Sequence, residues 1–247
     1  MKTIWRLIAA AVLAVGFSGC ATPIKRVALN TQVHGSPKTV KVLPMRYSEV
    51  DLFIVGNPGY NFGLIGVAIA EGNRVPKANW LRDQVRERKL DHVATFRRAL
   101  QDAMNERGHA FEFSETVMEG ERAKTKRSQW GLRKQYDAAG APVEAQLDVN
   151  FGFVGYTAAG AGDSSPYRPT VVVSARLVSA DGKRVLFEDQ IVYNSAFTLR
   201  QTDAITINPD ERYRYPDFDD MKAAGPAVVD GLELALQAAA AELAKQL

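Results

Sequence analysis

The chain has 247 residues, 46% of them hydrophobic and 24% charged, which excludes a disordered polymer and leaves room for a sizeable core. Its formal charge is +3, and without Lys2 and Arg6, which sit in a removable leader, the 31 basic side chains fall to 29 against 28 acidic ones. That balance gives no electrostatic ground for a polyanionic partner, and nucleic acid is not expected.

Residues 1–19 place Lys2 and Arg6 ahead of an uncharged run over 7–17 and end on Ser18-Gly19, the layout of a secretory signal. The run is shorter than the roughly 20 apolar residues of a membrane span. Cys20 is the one cysteine of the chain and forms no internal disulfide. A buried apolar cysteine is the ordinary alternative, but it would not sit directly after such a leader. Phe17-Ser18-Gly19-Cys20 resembles the bacterial lipobox, with Phe where Leu is more usual. The resemblance implies lipidation of Cys20 by a diacylglyceryl thioether and an acyl chain on its freed amine. At about 0.8 kcal/mol per buried methylene, more than one chain makes a stable anchor. Ala21, where an inner-membrane lipoprotein tends to carry Asp, implies the outer membrane with the protein facing the periplasm.

Residues 20–38 then read as a lipidated N-terminus and short tether, with a short strand over 27–33, and residues 39–247 as a single periplasmic domain. Val40, Val42 and Met45 alternate with Lys41 and Arg46 as a strand with one buried face. Residues 52–70 carry no charge and contain the spacing Gly59-x-x-x-Gly63. They suit either a membrane or oligomer contact in which glycines let backbones approach, or a buried loop leading into a short core helix over 62–70. Gly59 and Gly63 are the candidate packing positions. Residues 80–107 predict one long helix, striped by Leu81, Val85, Val93, Phe96, Leu100 and Met104 and ended by Gly108. Phe111 and Phe113 then alternate as a half-buried strand.

Residues 119–144 interleave Arg122, Lys124, Lys126, Arg127, Arg133 and Lys134 with Trp130 and Tyr136, the pattern of a solvated hairpin arm or of a surface for anionic headgroups or cell-wall polymer. Three strands follow, over 147–153, 171–177 and 185–193, the last two joined at Asp181-Gly182. They predict an antiparallel meander with a mobile small-residue loop over 158–169. Tyr213, Tyr215 and Phe218 could stack on sugar rings or anchor a loop on the core. The chain closes in an amphipathic helix striped by Val229, Leu232, Leu236, Ala240, Leu243 and Leu247, with Asp219 or Asp220 at its start.

Chemical motifs are sparse. His34, His92 and His109 form no close pair and have no cysteine partner, so no metal and no cofactor is expected. Gly162-Asp163-Ser164 superficially matches an esterase nucleophile block, but no histidine follows it. Asp217, Asp219 and Asp220 lack the third ligand of a calcium loop at Met221. No enzyme is expected.

The order of elements predicts an α+β fold, a mainly antiparallel sheet with a long central helix and a C-terminal helix packed on one face. This order, with the hairpin around Gly182-Lys183-Arg184-Val185-Leu186-Phe187-Glu188, loosely resembles the small domain of envelope lipoproteins such as the curli secretion lipoprotein, the penicillin-binding-protein activator lipoproteins and the N-terminal domain of TolB. The resemblance implies a non-enzymatic lipoprotein, anchored to the membrane through Cys20, whose domain binds or positions a protein partner in the cell envelope. A homo-oligomeric secretion or pore component using residues 52–70 stays open, as does a glycan or lipid binder using Tyr213, Tyr215 or the basic stretch.

Overall fold

The computed structural model describes residues 26–61, 63–114, 117–118, 126–140, 142–158, 160, 165–194 and 204–247. The leader, Cys20 and the Gly162-Asp163-Ser164 block lie outside them. Nine strands make one sheet whose spine is β6 (Ala145–Ala158). Along one edge of β6 run three short strands in file, β1 (Thr39–Val42), β2 (Arg46–Tyr47) and β3 (Asp51–Ile54), all parallel to it. β4 (Ala110–Phe113) lies parallel outside β1, and β5 (Val117–Met118) parallel outside β2. On the other edge come β7 (Tyr167–Ser179) and β8 (Val185–Tyr193), both antiparallel, and then β9 (Ile205–Ile207), parallel to β8.

The fold is therefore α+β, as the element order predicts, but the sheet is mixed and not mainly antiparallel. The meander holds for β6, β7 and β8 alone. Alternation of side chains reports which face a residue takes and is silent on strand direction, so β1 to β3 could not be oriented from their pattern. Their parallel return is made by crossover helices. The meander strands are also longer than predicted, since β6 runs to Ala158 and β7 starts at Tyr167, which shortens the loop between them.

Before the sheet, α1 (Thr31–His34) is a single helical turn, and the strand expected over 27–33 is reduced to one bridge between Val27 and Glu188. After β3, a 3-10 turn over Pro58–Asn61 leads into α2 (Gly63–Glu87), and α3 (His92–Glu106) follows. The one long helix expected over 80–107 is thus two helices. Lys89 takes a left-handed φ of 54°, and the Asp91 side chain accepts from the amides of Val93 and Ala94, so one helix ends and a capped one starts within four residues. The stripe survives the break because Leu81 of α2 and Phe96, Leu100 and Met104 of α3 all enter the same core.

The C-terminal segment divides into α4 (Phe218–Ala223) and α5 (Ala227–Gln246). Asp217, not Asp219 or Asp220, caps α4, and α5 has no side-chain cap. Val229, Leu232, Leu236, Ala240, Leu243 and Leu247 are all buried as predicted. α5 lies on β7 and β8, α3 lies beside α5, and α2 leans on β3. The three long helices cover one face of the sheet, where Leu147, Val149, Phe151, Val173, Leu177 and Phe187 meet them.

Candidate functional site

Among the described residues no helix lies over the second face of the sheet, yet that face is buried. Register places side chains in rows across β6, β7 and β8: Asp148, Arg176 and Glu188 in one, Asn150, Ser174 and Gln190 in the next, Phe153, Val172 and Val192 in the third. Asp148 is 0% exposed and Gln190 2%. Their cover is the segment 126–140, a tight turn bridged at Arg127 and Arg133, with Leu132 fully buried beneath it. The solvated arm expected over 119–144 is, in its described part, a lid folded flat on the sheet; residues 119–125 lie outside the described residues.

Charge holds that lid down. The Arg133 amide donates to Asp148 Oδ2 at 2.6 Å, the Tyr136 hydroxyl donates to the same oxygen at 3.0 Å, and the Arg133 and Arg127 guanidiniums stand 3.4 and 3.9 Å from Oδ1. Arg176 meets Glu188 through two bonds of 2.8 Å and donates to the Arg133 carbonyl. Burial lowers the Arg127 pKa and Asp148 opposes that shift. Burial also works against the Arg176 charge, but Glu188 outweighs it and keeps the guanidinium firmly protonated. Burial, reinforced by Asp148, pushes the Tyr136 hydroxyl up, so it remains a donor. Arg127, Arg133 and Arg176 are thus committed to the fold as an internal ionic latch, whereas Lys126 and Lys134 are exposed and Arg122 and Lys124 lie outside the described residues.

Beyond the latch the lid opens into a cleft of about 340 Å³. Gly131, at φ 74°, seats the lid tip on Asn150, whose amide donates to the Trp130 carbonyl at 3.0 Å. The floor is Ser174 and Gln190, the walls are Trp130, Phe153 and Val172, and Phe53 of β3 stands at the rim. Gly152 is the extra residue of a β-bulge between Phe151 and Phe153 and opens onto the cleft.

A separate apolar surface is carried by α2. At 3.6 residues per turn, Leu64, Ile65, Ala68, Ile69, Gly72, Val75 and Pro76 share an arc of roughly 140°. All seven are exposed and none is charged, with Leu64 at 89% and Ile65 at 78%. Charge ties α2 to the β3 region: Arg74, on the side away from the arc, donates to Asp51 at 2.7 Å and to the Leu52 carbonyl, and Arg82, beyond the end of the arc, donates to the Val50 carbonyl at 2.9 Å. Among the described residues of this helix, Ala70, Ala78 and Leu81 alone are buried. The short core helix weighed for residues 62–70 is in fact the outward-facing first turns of a 25-residue helix. Gly59 falls in the 3-10 turn before it, and Gly63 is its first residue.

Tyr213 and Tyr215 are placed on the helix-covered side of the sheet, apart from both surfaces. Tyr215 exchanges backbone bonds with Tyr167 and is 8% exposed, its ring 5.9 Å from that of Tyr156. Tyr213 lies on Gly231 of α5, where a Cβ would come within 2.8 Å of its ring. Both rings anchor the loop before α4. Gln190, Ser174, Phe153 and Gly152 carry no motif, and their only trace in the sequence is small polar residues at alternate positions of three neighbouring strands.

His92 is 9% exposed, edge-on to Tyr47 and Phe151, and its Nε2 has no partner among the described residues. Burial depresses its pKa below 6.5, with Asp91 pulling the other way. The unfolded chain therefore takes up this proton first as pH falls, and stability present above pH 6.5 is lost below it, at up to about 1.4 kcal/mol per pH unit. Urea titrations between pH 7.5 and 5 should show that loss. His92→Phe, which keeps the edge-on packing, should flatten it; an unchanged slope in this variant would assign the loss to other groups.

No protein-family model matches the chain, and no curated protein matches it. Among the described residues no helix is long and apolar enough to cross a membrane, and no group of three or more His, Cys, Asp or Glu is placed to hold a metal ion.

Proposed function

We propose that this is a lipid-anchored cell-envelope protein, held in the outer membrane through Cys20 and facing the periplasm, which binds or positions a protein partner and performs no chemistry of its own. The observation that carries the reading is the uncharged, exposed arc of α2. A helix normally turns its apolar side inward, and contiguous exposed apolar patches on a soluble domain mark contact surfaces. Arg74 and Arg82 are spent on the β3 region, Lys77 bonds the Tyr167 hydroxyl and Arg86 pairs with Asp83, so each basic residue of this helix has a partner and is not held free for a lipid surface. Ala68-x-x-x-Gly72 at its centre lets another helix approach closely, which suits a helical segment of the partner.

The test is a photo-crosslinking amino acid placed at Ile65 in living cells, with Arg98 on exposed α3 as the control position. A heterologous protein adduct from position 65 and not 98, lost on Ile69→Lys and reduced when Cys20→Ala releases the chain from the membrane, is the expected result. An adduct of twice the chain mass would replace the partner by a second copy and favour the oligomeric reading. Lipid adducts alone, or equal labelling at both positions, would refute a protein contact on this face.

A further inference from the structure

The cleft on the second face of the sheet is built to take a molecule, and its chemistry narrows what that molecule is. Gln190 is 2% exposed and lines the floor; its Nε2 donates to Ser174 Oγ at 3.2 Å, while its Oε1 has no hydrogen-bond partner among the described residues. Leaving a buried amide oxygen unpaired costs more than a typical hydrogen bond contributes, so such a group in a cleft favours a ligand that pairs it. The apolar part of the lining is the Trp130 and Phe153 rings, Val172, and Phe53 at the rim, with Gln129, Asn150 and Ser174 its other polar side chains. A volume of about 340 Å³ is in the range of small-molecule sites, at their lower end.

Gly152 supplies the second argument. Its φ is not in the left-handed region, so its backbone would accept any residue, yet a Cβ there would stand 3.3 Å from Val172 Cγ1 and a longer side chain would enter the cleft. The glycine supplies open space in the cleft and not a special conformation. The lid supports the same reading. Asn150 holds the Trp130 carbonyl, and the latch at Asp148 fixes the segment on either side, so the Trp130 wall is set before anything binds.

We propose that this cleft binds a small flat apolar molecule, of one or two fused rings, bearing a single hydroxyl that hydrogen-bonds the Gln190 side-chain amide. A hydroxyl both donates and accepts, so it satisfies that amide in either orientation. The ligand is recognised by ring stacking on Trp130 and Phe153 and selected by one polar contact at the floor.

Ligand-observed NMR titrations of the folded domain with 2-naphthol and with naphthalene read the claim directly. The wild-type chain should bind 2-naphthol about tenfold more tightly than naphthalene, the worth of one buried hydrogen bond. Gln190→Leu should remove that difference while keeping naphthalene binding. Gly152→Leu should abolish both without lowering the melting temperature. Equal affinity of the wild type for the two probes, 2-naphthol binding that survives Gly152→Leu in a folded protein, or no binding of either probe would each overturn the proposal. Should Gln190→Leu not fold, the wild-type comparison and the Gly152 variant decide it.

Discussion

Asp148→Ala should destabilise the protein by about 3–5 kcal/mol and release the lid. Removing one partner of a buried ionic cluster leaves the others uncompensated, and that loss exceeds what the cluster contributes while intact. Here the carboxylate is fully buried and accepts from the Arg133 amide and the Tyr136 hydroxyl, and the Arg127 and Arg133 side chains around it are 7% and 13% exposed. Without it, two guanidiniums would stand beneath the lid with no carboxylate between them. Limited trypsin digestion reads the consequence, because Lys126, Arg127, Arg133 and Lys134 all lie in the lid. Cleavage there should be fast in Asp148→Ala and slow in the wild type. Asp148→Asn, which keeps an acceptor, should fall between them; wild-type protection of all four sites in the alanine variant would show that the lid is held by packing around Leu132 alone.

Gly155→Ala should have an effect of similar size by another route. Gly155 pairs with Asp51 where β3 joins β6, and its φ is 156°. A Cβ at this position would lie 1.7 Å from the Asp51 carbonyl oxygen, which is backbone and has nowhere to rotate. β3 would have to leave the sheet, taking the Arg74 and Arg82 ties of α2 with it. A loss of at least about 3 kcal/mol in urea unfolding is expected, with amide exchange accelerated over residues 51–54. Gly72→Ala, whose Cβ would meet nothing within 4 Å, is the matched control and should be neutral or slightly stabilising. Unchanged exchange over β3 in Gly155→Ala would mean the strand accommodates the side chain by shifting register.

The contrast between what was legible and what was not follows from the physics of each pattern. The α5 stripe of Leu232, Leu236 and Leu243 was readable because a helix repeats its buried face every 3.6 residues, and all three are fully buried. The break at Lys89 was not, because Asp91 reads as one more polar residue on a solvent face until its cap bonds are seen. The second face of the sheet was concealed in the same way. Gln146, Asp148 and Asn150 alternate with Leu147 and Val149 as an outward-facing set does, and the segment 126–140 just before the strand, folded back over it, turns them inward. Lid and strand each carry half of an ionic pattern whose meaning lies in their contact. The apolar arc of α2 was signalled by the missing charge over residues 52–70, but its direction was not, since uncharged residues fit a core and an exposed contact equally well.

The file of β1, β2 and β3 along β6 also sets an order of events in time. Lys38 and Thr39 bond to residues 106 and 103 positions further on, and the pairing continues at that separation as far as Ile54 and Ala158. Such contacts form only after a long loop closes, which makes this edge slow to assemble compared with the β7–β8 hairpin. While the chain emerges from its N-terminus, the segments that will become β1 to β3 are made first and completed last. A polypeptide threaded across a membrane would therefore present unpaired strand edges for as long as residues 145–158 are still to arrive, and that interval is where escort by a holding chaperone would matter most.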